Sequence, residues 1–331
     1  MAPGKKWIKD ITSATATIDA ARRVLGLRLE SLRDAVGAAL QERDDSFENV
    51  HQLRVAARRA SAALEIFEPC LRRKAYRTAS KYVRRLRRAA GLARDLDVVL
   101  LNYTKRLEPA GPEEAAALDL LCGYAVAERI PAQDRLHDAC AGYPFEFERW
   151  MSDTIAGLLS PPREIGRMEA LGRAYLGKLC DRIHRAIDMS APSYEELHSL
   201  RVVAKRLRYG MEVFAGCFPP PFREELYPRI AELQEVLGVV TDAHVGLART
   251  ERLMRGLTEL LPSRSGRWNG ALERLAEDLK RIRLQGCEEL NVWKSRVNRM
   301  GFEALFNSML EGMPEDGPDA ADAPFPVAHA S

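Results

Sequence analysis

A histidine and two arginines lie along one line of a predicted helix near the start of the chain. In the stretch HQLRVAARR, His51, Arg54 and Arg58 occupy positions i, i+3 and i+7, whereas Leu53 and Phe67 fall on the opposite, apolar face. Residues three positions apart are neighbours on one side of an α-helix. Arginine presents a planar fork of donors that matches phosphate oxygens, so this line of side chains could bind an anion.

The same line recurs later in the chain, in HSLRVVAKRLRY. His198 lies 147 residues after His51, and the offset carries Arg54 onto Arg201 and Arg58 onto Lys205. It also matches further positions without a gap, among them Gly91 with Gly238, Asp95 with Asp242, Glu65 with Glu212 and Cys70 with Cys217. One offset that holds across three separated helices indicates a duplicated helical unit.

The composition predicts an all-α protein. Ala, Leu, Arg and Glu dominate, whereas β-branched and aromatic residues are sparse, which favours helices over strands. We expect two helical bundles that face each other, one over residues 17–160 and one over 164–310. Residues 1–16 are expected to be a frayed leader, and residues 311–331, rich in Pro, Ala and Asp, a disordered acidic tail.

Positive charge is concentrated in the first half, although the net charge of the chain is only +3. Residues 51–94 contain thirteen Arg or Lys and two acids. Within this block Lys81, Arg84 and Arg88 share an arc of one helix. A concentration of one sign predicts an anionic partner, whereas the plainer interpretation is a solvated helix surface rich in a good helix former.

Catalytic machinery is not evident in the sequence. We find no phosphate-binding P-loop, no carboxylate cluster for paired metals, and no second His at metal-site spacing beside His51 or His198. We therefore expect no catalytic residue, metal or cofactor, and assign the histidines to hydrogen bonding with phosphate or backbone. Asp95 and Asp242, isolated anions among cations, are expected to orient an arginine or to cap a helix.

The compartment is expected to be cytoplasmic. None of the six cysteines forms a CxxC pair, so they are expected to be reduced core residues. The first residues contain no apolar run of the kind found in signal peptides, and no apolar stretch approaches the roughly 20 residues of a membrane span.

These repeated stretches resemble the CHAD family, the conserved histidine α-helical domain. The resemblance covers about residues 20–310 and is carried by HQLRVAARR and HSLRVVAKRLRY, followed by AAGLARDLDVV and EVLGVVTDAHV. It implies two helical bundles related by a pseudo-twofold axis, with a basic channel or groove between them. It also implies binding of inorganic polyphosphate and association with polyphosphate granules.

The resemblance transfers to individual positions of this sequence. The implied ligands of polyphosphate are His51, Arg54, Arg58, Arg59, Lys81, Arg84, Arg88, Arg94, His198, Arg201, Lys205, Arg206 and Arg208. One departure is that Thr241 occupies the place in the second repeat that Arg94 has in the first, so a symmetric role for Arg94 is not expected.

The sequence therefore predicts a non-enzymatic polyphosphate-binding protein without membrane segments. Three alternatives stay open at this point. A nucleic-acid-binding helical protein would need aromatic side chains near the cations, for which Tyr76, Tyr82 and Tyr209 are the candidates. A polyphosphate or nucleotide hydrolase would need a divalent metal site, and a helical adaptor would dock an acidic protein on the basic face.

Overall fold

The apolar periodicity of the sequence is realised as nine α-helices within the part of the chain that the structure describes. The structure is a computed structural model that describes residues 6–40, 47–141, 143–187, 189, 192–299, 301, 304 and 306–308. The helices are α1 (Thr17–Ala39), α2 (Glu48–Ile66), α3 (Arg73–Leu107), α4 (Pro112–Ala141), α5 (Tyr143–Ala156), α6 (Met168–Ile187), α7 (Tyr194–Phe214), α8 (Tyr227–Leu260) and α9 (Gly266–Arg299).

The all-α prediction is confirmed. The described residues contain no strand beyond two isolated bridges, and none of their helices is long and apolar enough to cross a bilayer. The helix ends follow local chemistry. Proline at the first position of α4 has no backbone N–H to leave unsatisfied, and Ser193 caps α7 by accepting from the Glu196 amide at 3.3 Å while Glu196 accepts from the Ser193 amide at 2.6 Å.

The two halves repeat one order of packing. In the first half α1 packs on α2, α2 on α3 and α3 on α4, and in the second half α6 to α9 pack in the same sequence. The halves meet where α2 contacts α7 and where α4 contacts α9. These matched contacts support the predicted duplication. The duplication itself and the limits of its repeats stay predictions, and the expected tail at 311–331 lies outside the described residues.

Two apolar clusters hold the helices together. The larger one is continuous through both halves, with Leu25 and Leu53 from the first and Leu207 and Phe214 from the second fully buried. The smaller one, around Tyr103, joins the far ends of α3, α4, α8 and α9. A groove lined by residues of α2, α3, α7 and α8 lies between the two halves.

The leader predicted over residues 1–16 was wrong for its described part. Ile8 and Ile11 are buried, and the Ile8 amide donates to the Glu212 carbonyl oxygen at 3.4 Å. The segment lies so close to the second half that a Cβ at Gly216 would collide with the Ile11 carbonyl oxygen. Sequence periodicity missed this contact because the segment is not helical.

A buried carboxylate ties the two halves together. Glu212 of α7 is 1% exposed and accepts from Arg59 Nε of α2 at 2.8 Å and from the Tyr227 hydroxyl at 3.1 Å. Arg28, also buried, lies 3.8 Å from the same carboxylate. The pair at the matching positions, Arg206 and Glu65, is longer at 3.7 Å and half-exposed.

We expect Glu212→Gln to destabilise the protein by about 3 kcal/mol or more, because removing one partner of a buried ion pair leaves buried guanidinium groups without their carboxylate. The matched control is Glu65→Gln, which removes the half-exposed counterpart and should cost less than about 1 kcal/mol. Urea unfolding of both variants measures the difference. Equal losses in the two variants would contradict the assignment of Glu212 as the tie between the halves.

Candidate functional site

A central groove lies between the two halves and has a volume of about 630 Å³. Its walls are α2 and α3 from the first half and α7 and α8 from the second. The smaller apolar cluster bounds its far side, where Tyr103 of α3 hydrogen bonds to Thr250 of α8. The charged and aromatic residues that line it are His51, Arg54, Arg58, Glu65, Arg87, Arg94, Asp95, Tyr194, His198, Arg201, Lys205, Arg206, Tyr209 and Asp242.

Cations outnumber carboxylates in this lining. Seven Arg and Lys side chains face three carboxylates, not counting the two histidines. Each carboxylate contacts one of the arginines: Asp95 contacts Arg54, Asp242 contacts Arg201 and Glu65 contacts Arg206. The remaining four are Arg58, Arg87, Arg94 and Lys205. The three arginines among them give the groove a local excess of positive charge, and low-dielectric walls increase the attraction for an anion.

Arg54 and Arg201 occupy equivalent places on opposite walls. Their side chains are 18% and 19% exposed, whereas those of their partners Asp95 and Asp242 are 61% and 53% exposed. Arg54 also donates to the Gly91 carbonyl oxygen at 3.2 Å, and Arg201 donates to Asp242 at 3.3 Å. The prediction that these aspartates orient arginines is confirmed, and the geometry leaves the guanidinium groups at the groove wall.

Arg58 and Lys205 lie deepest in the charge cluster. Burial lowers the pKa of Arg58, and neighbouring Arg54 and Arg201 lower it further, whereas a hydrogen bond to Tyr209 opposes the shift. Burial lowers the pKa of Lys205 to about 6, with repulsion from Arg58, Arg201 and Arg54 as additional causes. Lys205 is therefore largely neutral at pH 7 in the free protein, and a bound anion would favour its protonated form.

The two histidines line the groove in different surroundings. His51 is half-buried, and its pKa is lowered by burial and by the nearby charges of Arg94, Arg54 and Arg58. His198 is exposed, and its ring lies 6.2 Å from that of Tyr194. Both can donate a hydrogen bond to an anion, and within the described chain no group of three or more His, Cys, Asp or Glu is placed to hold a metal ion.

Arg94 makes the groove asymmetric. It lines the first half beside His51, whereas its counterpart Thr241 is buried and donates its hydroxyl to the Leu237 carbonyl oxygen at 2.6 Å. The second half therefore lacks a cation at this place, as the departure in the sequence predicted.

Not all the residues proposed from the sequence reach the groove. The structure brings together His51, Arg54, Arg58, Arg94, His198, Arg201, Lys205 and Arg206. Arg59 is instead hydrogen-bonded to the buried Glu212. The Arg208 guanidinium lies 5.1 Å from the centre of the Tyr209 ring and is close to Tyr227 and Glu212. Lys81, Arg84 and Arg88 are exposed on α3 outside the groove.

Sequence reasoning also missed two of the charged and aromatic lining residues. Arg87 lies four residues before Gly91 and seven before Arg94 on α3, so helical spacing from the glycine could have found it. Tyr194 lines the groove from the first turn of α7, where its ring stacks on His244 at 3.6 Å. No pattern in the sequence pointed to this stacking, because the two residues lie on different helices.

Comparison with known proteins places this fold. The structure is similar to the CHAD domain from the plant Ricinus communis, at 24% identity and a TM-score of 0.61, covering 86% of this chain and 96% of the other. It is also similar to PptA from Streptomyces chartreusis, at 16% identity and a TM-score of 0.61, covering 85% and 100%. A search of curated proteins found no match. The CHAD domain family model matches residues 23–251, and the chain belongs to the CHAD family.

Proposed function

We propose that the central groove binds inorganic polyphosphate without reacting with it. The observation that carries this proposal is the approach of cations from both halves to one space, with Arg54 and Arg58 on one wall and Arg201, Lys205 and Arg206 on the other. Four of the seven basic side chains, three of them arginines, have no carboxylate partner within the lining. A linear polyanion would relieve their mutual repulsion along its whole contact with the groove.

The chemistry of the lining suits repeated phosphoryl groups. Arginine binds phosphate oxygens in a bidentate manner, and such charge-assisted bonds are about twice as strong as neutral ones. Polyphosphate carries a negative charge at every unit and has no bases. Cations on the two walls can therefore contact any part of the chain equally well. Binding would release counterions from the polyanion and would weaken steeply with salt.

The aromatic residues of the groove favour polyphosphate over nucleic acid. Binding of single strands depends on bases that stack on free aromatic faces. Tyr194 already stacks on His244, and Tyr209 is buried with the Arg208 guanidinium over its ring. Tyr76 and Tyr82, the other candidates, do not line the groove.

In the cell, binding of polyphosphate by the groove would target the protein to polyphosphate granules.

We expect the double variant Arg54→Ala with Arg201→Ala to bind long-chain polyphosphate at least tenfold more weakly at physiological salt. One phosphate contact is lost on each wall, and the salt dependence of log K should flatten by about 1.4, or about 0.7 for each contact. Folding should be preserved because the aspartates left behind are exposed.

The matched control for this variant is Arg255→Ala with Arg264→Ala, which removes two exposed cations outside the groove. Isothermal titration over a range of salt concentrations measures both proteins. Unchanged affinity in the Arg54 and Arg201 variant, or an equal loss in the control, would show that the groove is not the site.

Binding should also take up a proton at Lys205. The free side chain has a pKa of about 6, and bound phosphate raises it, so at pH 7 the complex holds a proton that the free protein lacks. Affinity is therefore expected to rise as the pH falls from about 8 towards 6. Protonation of Lys205 has the opposite effect on the stability of the free protein. The pKa of this side chain falls from 10.5 to about 6 on folding, so the unfolded chain binds the proton at a higher pH than the folded protein does. The free energy of unfolding therefore falls as the pH falls from about 10.5 to about 6.

Titration in buffers of different ionisation enthalpy counts the protons taken up. Lys205→Arg keeps a permanent charge and should lose most of the uptake while retaining affinity, whereas His51 supplies the uptake that is left. Long-chain polyphosphate keeps the contribution of its terminal groups small. Equal proton uptake by the wild type and Lys205→Arg would contradict this role of Lys205.

A direct assay separates the proposal from its rivals. We expect no phosphate release from polyphosphate in the presence of magnesium or manganese, and we expect single-stranded RNA at equal charge concentration to displace little bound polyphosphate. Phosphate release that Arg54→Ala with Arg201→Ala abolishes would establish a hydrolase. Full displacement by RNA would establish a nucleic-acid binder.

A further inference from the structure

A line of cations continues from the groove along the first half of α3. Arg73, Arg77, Lys81, Arg84 and Arg88 follow one another at spacings of four, four, three and four residues, which keeps them on one face of the helix. We call these five residues the α3 basic stripe. All five are exposed, and none forms an ion pair with another described residue.

The stripe lies on the helix face that enters the groove. Counting 100° for each residue, Gly91, Asp95 and Asn102, which line the groove, fall on the same face of α3 as the stripe. Arg87, the residue before Arg88 of the stripe and four residues before Gly91, also lines the groove, so the groove-end of the stripe adjoins the groove lining. At 1.5 Å of rise per residue, the stripe adds about 22 Å between Arg73 and Arg88.

The second half has no such stripe. The offset of 147 residues carries the five cations onto Pro220, Glu224, Pro228, Ala231 and Glu235. The arginines nearby on this side contact carboxylates: Arg223 lies 3.3 Å from Glu224, and Arg229 lies 3.6 Å from Glu225. The surfaces that continue the groove along α3 and along α8 therefore differ in charge, although the groove itself has cations on both walls.

We propose that the α3 basic stripe is a one-sided extension of the polyphosphate site, which only chains longer than the groove reach. This inference rests on the proposed function of the groove. Cations on one helix line repel one another, and a polyanion that leaves the groove along α3 relieves this repulsion. Along α8 the same chain would meet carboxylates and prolines. The protein thus binds long chains more tightly than short ones, and a bound chain leaves the groove along α3 and not along α8.

The test compares two ligands and two variants of the full chain. The stripe variant is Arg77→Gln, Arg84→Gln and Arg88→Gln, and the matched control is Lys178→Gln, Arg255→Gln and Arg264→Gln, which removes the same charge from exposed positions elsewhere. The ligands are tripolyphosphate, which is short enough for the groove alone, and long-chain polyphosphate. Titration calorimetry at several salt concentrations gives affinity and salt dependence.

We expect the stripe variant to bind long-chain polyphosphate about tenfold more weakly than the wild type, with the salt dependence of log K flatter by about 2. Its affinity for tripolyphosphate should be unchanged, and the control should match the wild type with both ligands. Equal losses for both ligands, or a loss in the control as large as in the stripe variant, would overturn the extension.

Failure of the groove itself gives a different result. If Arg54→Ala with Arg201→Ala leaves long-chain binding intact while the stripe variant abolishes it, the stripe is a separate surface site and the inference of an extension is wrong. If the stripe variant binds long chains as the wild type does and the groove variant does not, the groove is the whole binding site and the inference of an extension is wrong. If the wild type binds neither ligand, the proposed function fails as well.

Discussion

The contact between α2 and α7 is the constraint on which the rest of the structure depends. Both helices carry lines of arginine and lysine, so bringing them together costs electrostatic energy that apolar packing alone would have to offset. Glu212, buried at this contact, accepts from Arg59 at 2.8 Å and faces Arg28. The carboxylate of Glu212 thus compensates guanidinium charge from α1 and α2 at the place where the two halves meet.

The groove combines paired and unpaired cations. Asp95 and Asp242 hold Arg54 and Arg201 in position from exposed sites, where their charges are screened by solvent. Arg58 and Lys205 lie deeper, and desolvation lowers the pKa of both. The free protein thus avoids part of the repulsion by leaving Lys205 neutral, and an anion that enters can restore its charge.

Much of this could be predicted from the sequence, because helical spacing decides which side chains share a face. His51, Arg54 and Arg58 on one helix and His198, Arg201 and Lys205 on another were identified in this way, and all six line the groove. Spacing could not decide which neighbouring helix each face meets. Arg59 follows Arg58 directly, yet the 100° turn between them directs it to Glu212 instead of the groove.

The sequence by itself determined that the chain is helical, that it carries two matching lines of cations and that the family is CHAD. Only the tertiary structure decided that the two lines of cations face each other across one groove and that Arg87 of α3 also lines this groove. It also decided that the segment around Ile8 and Ile11 packs on the second half. The physical reason is that periodicity is a local property of one helix, whereas burial and pairing of charge depend on side chains far apart in the chain. Lys205 shows this most clearly, since its pKa of about 6 arises from burial and from arginines on both α2 and α7.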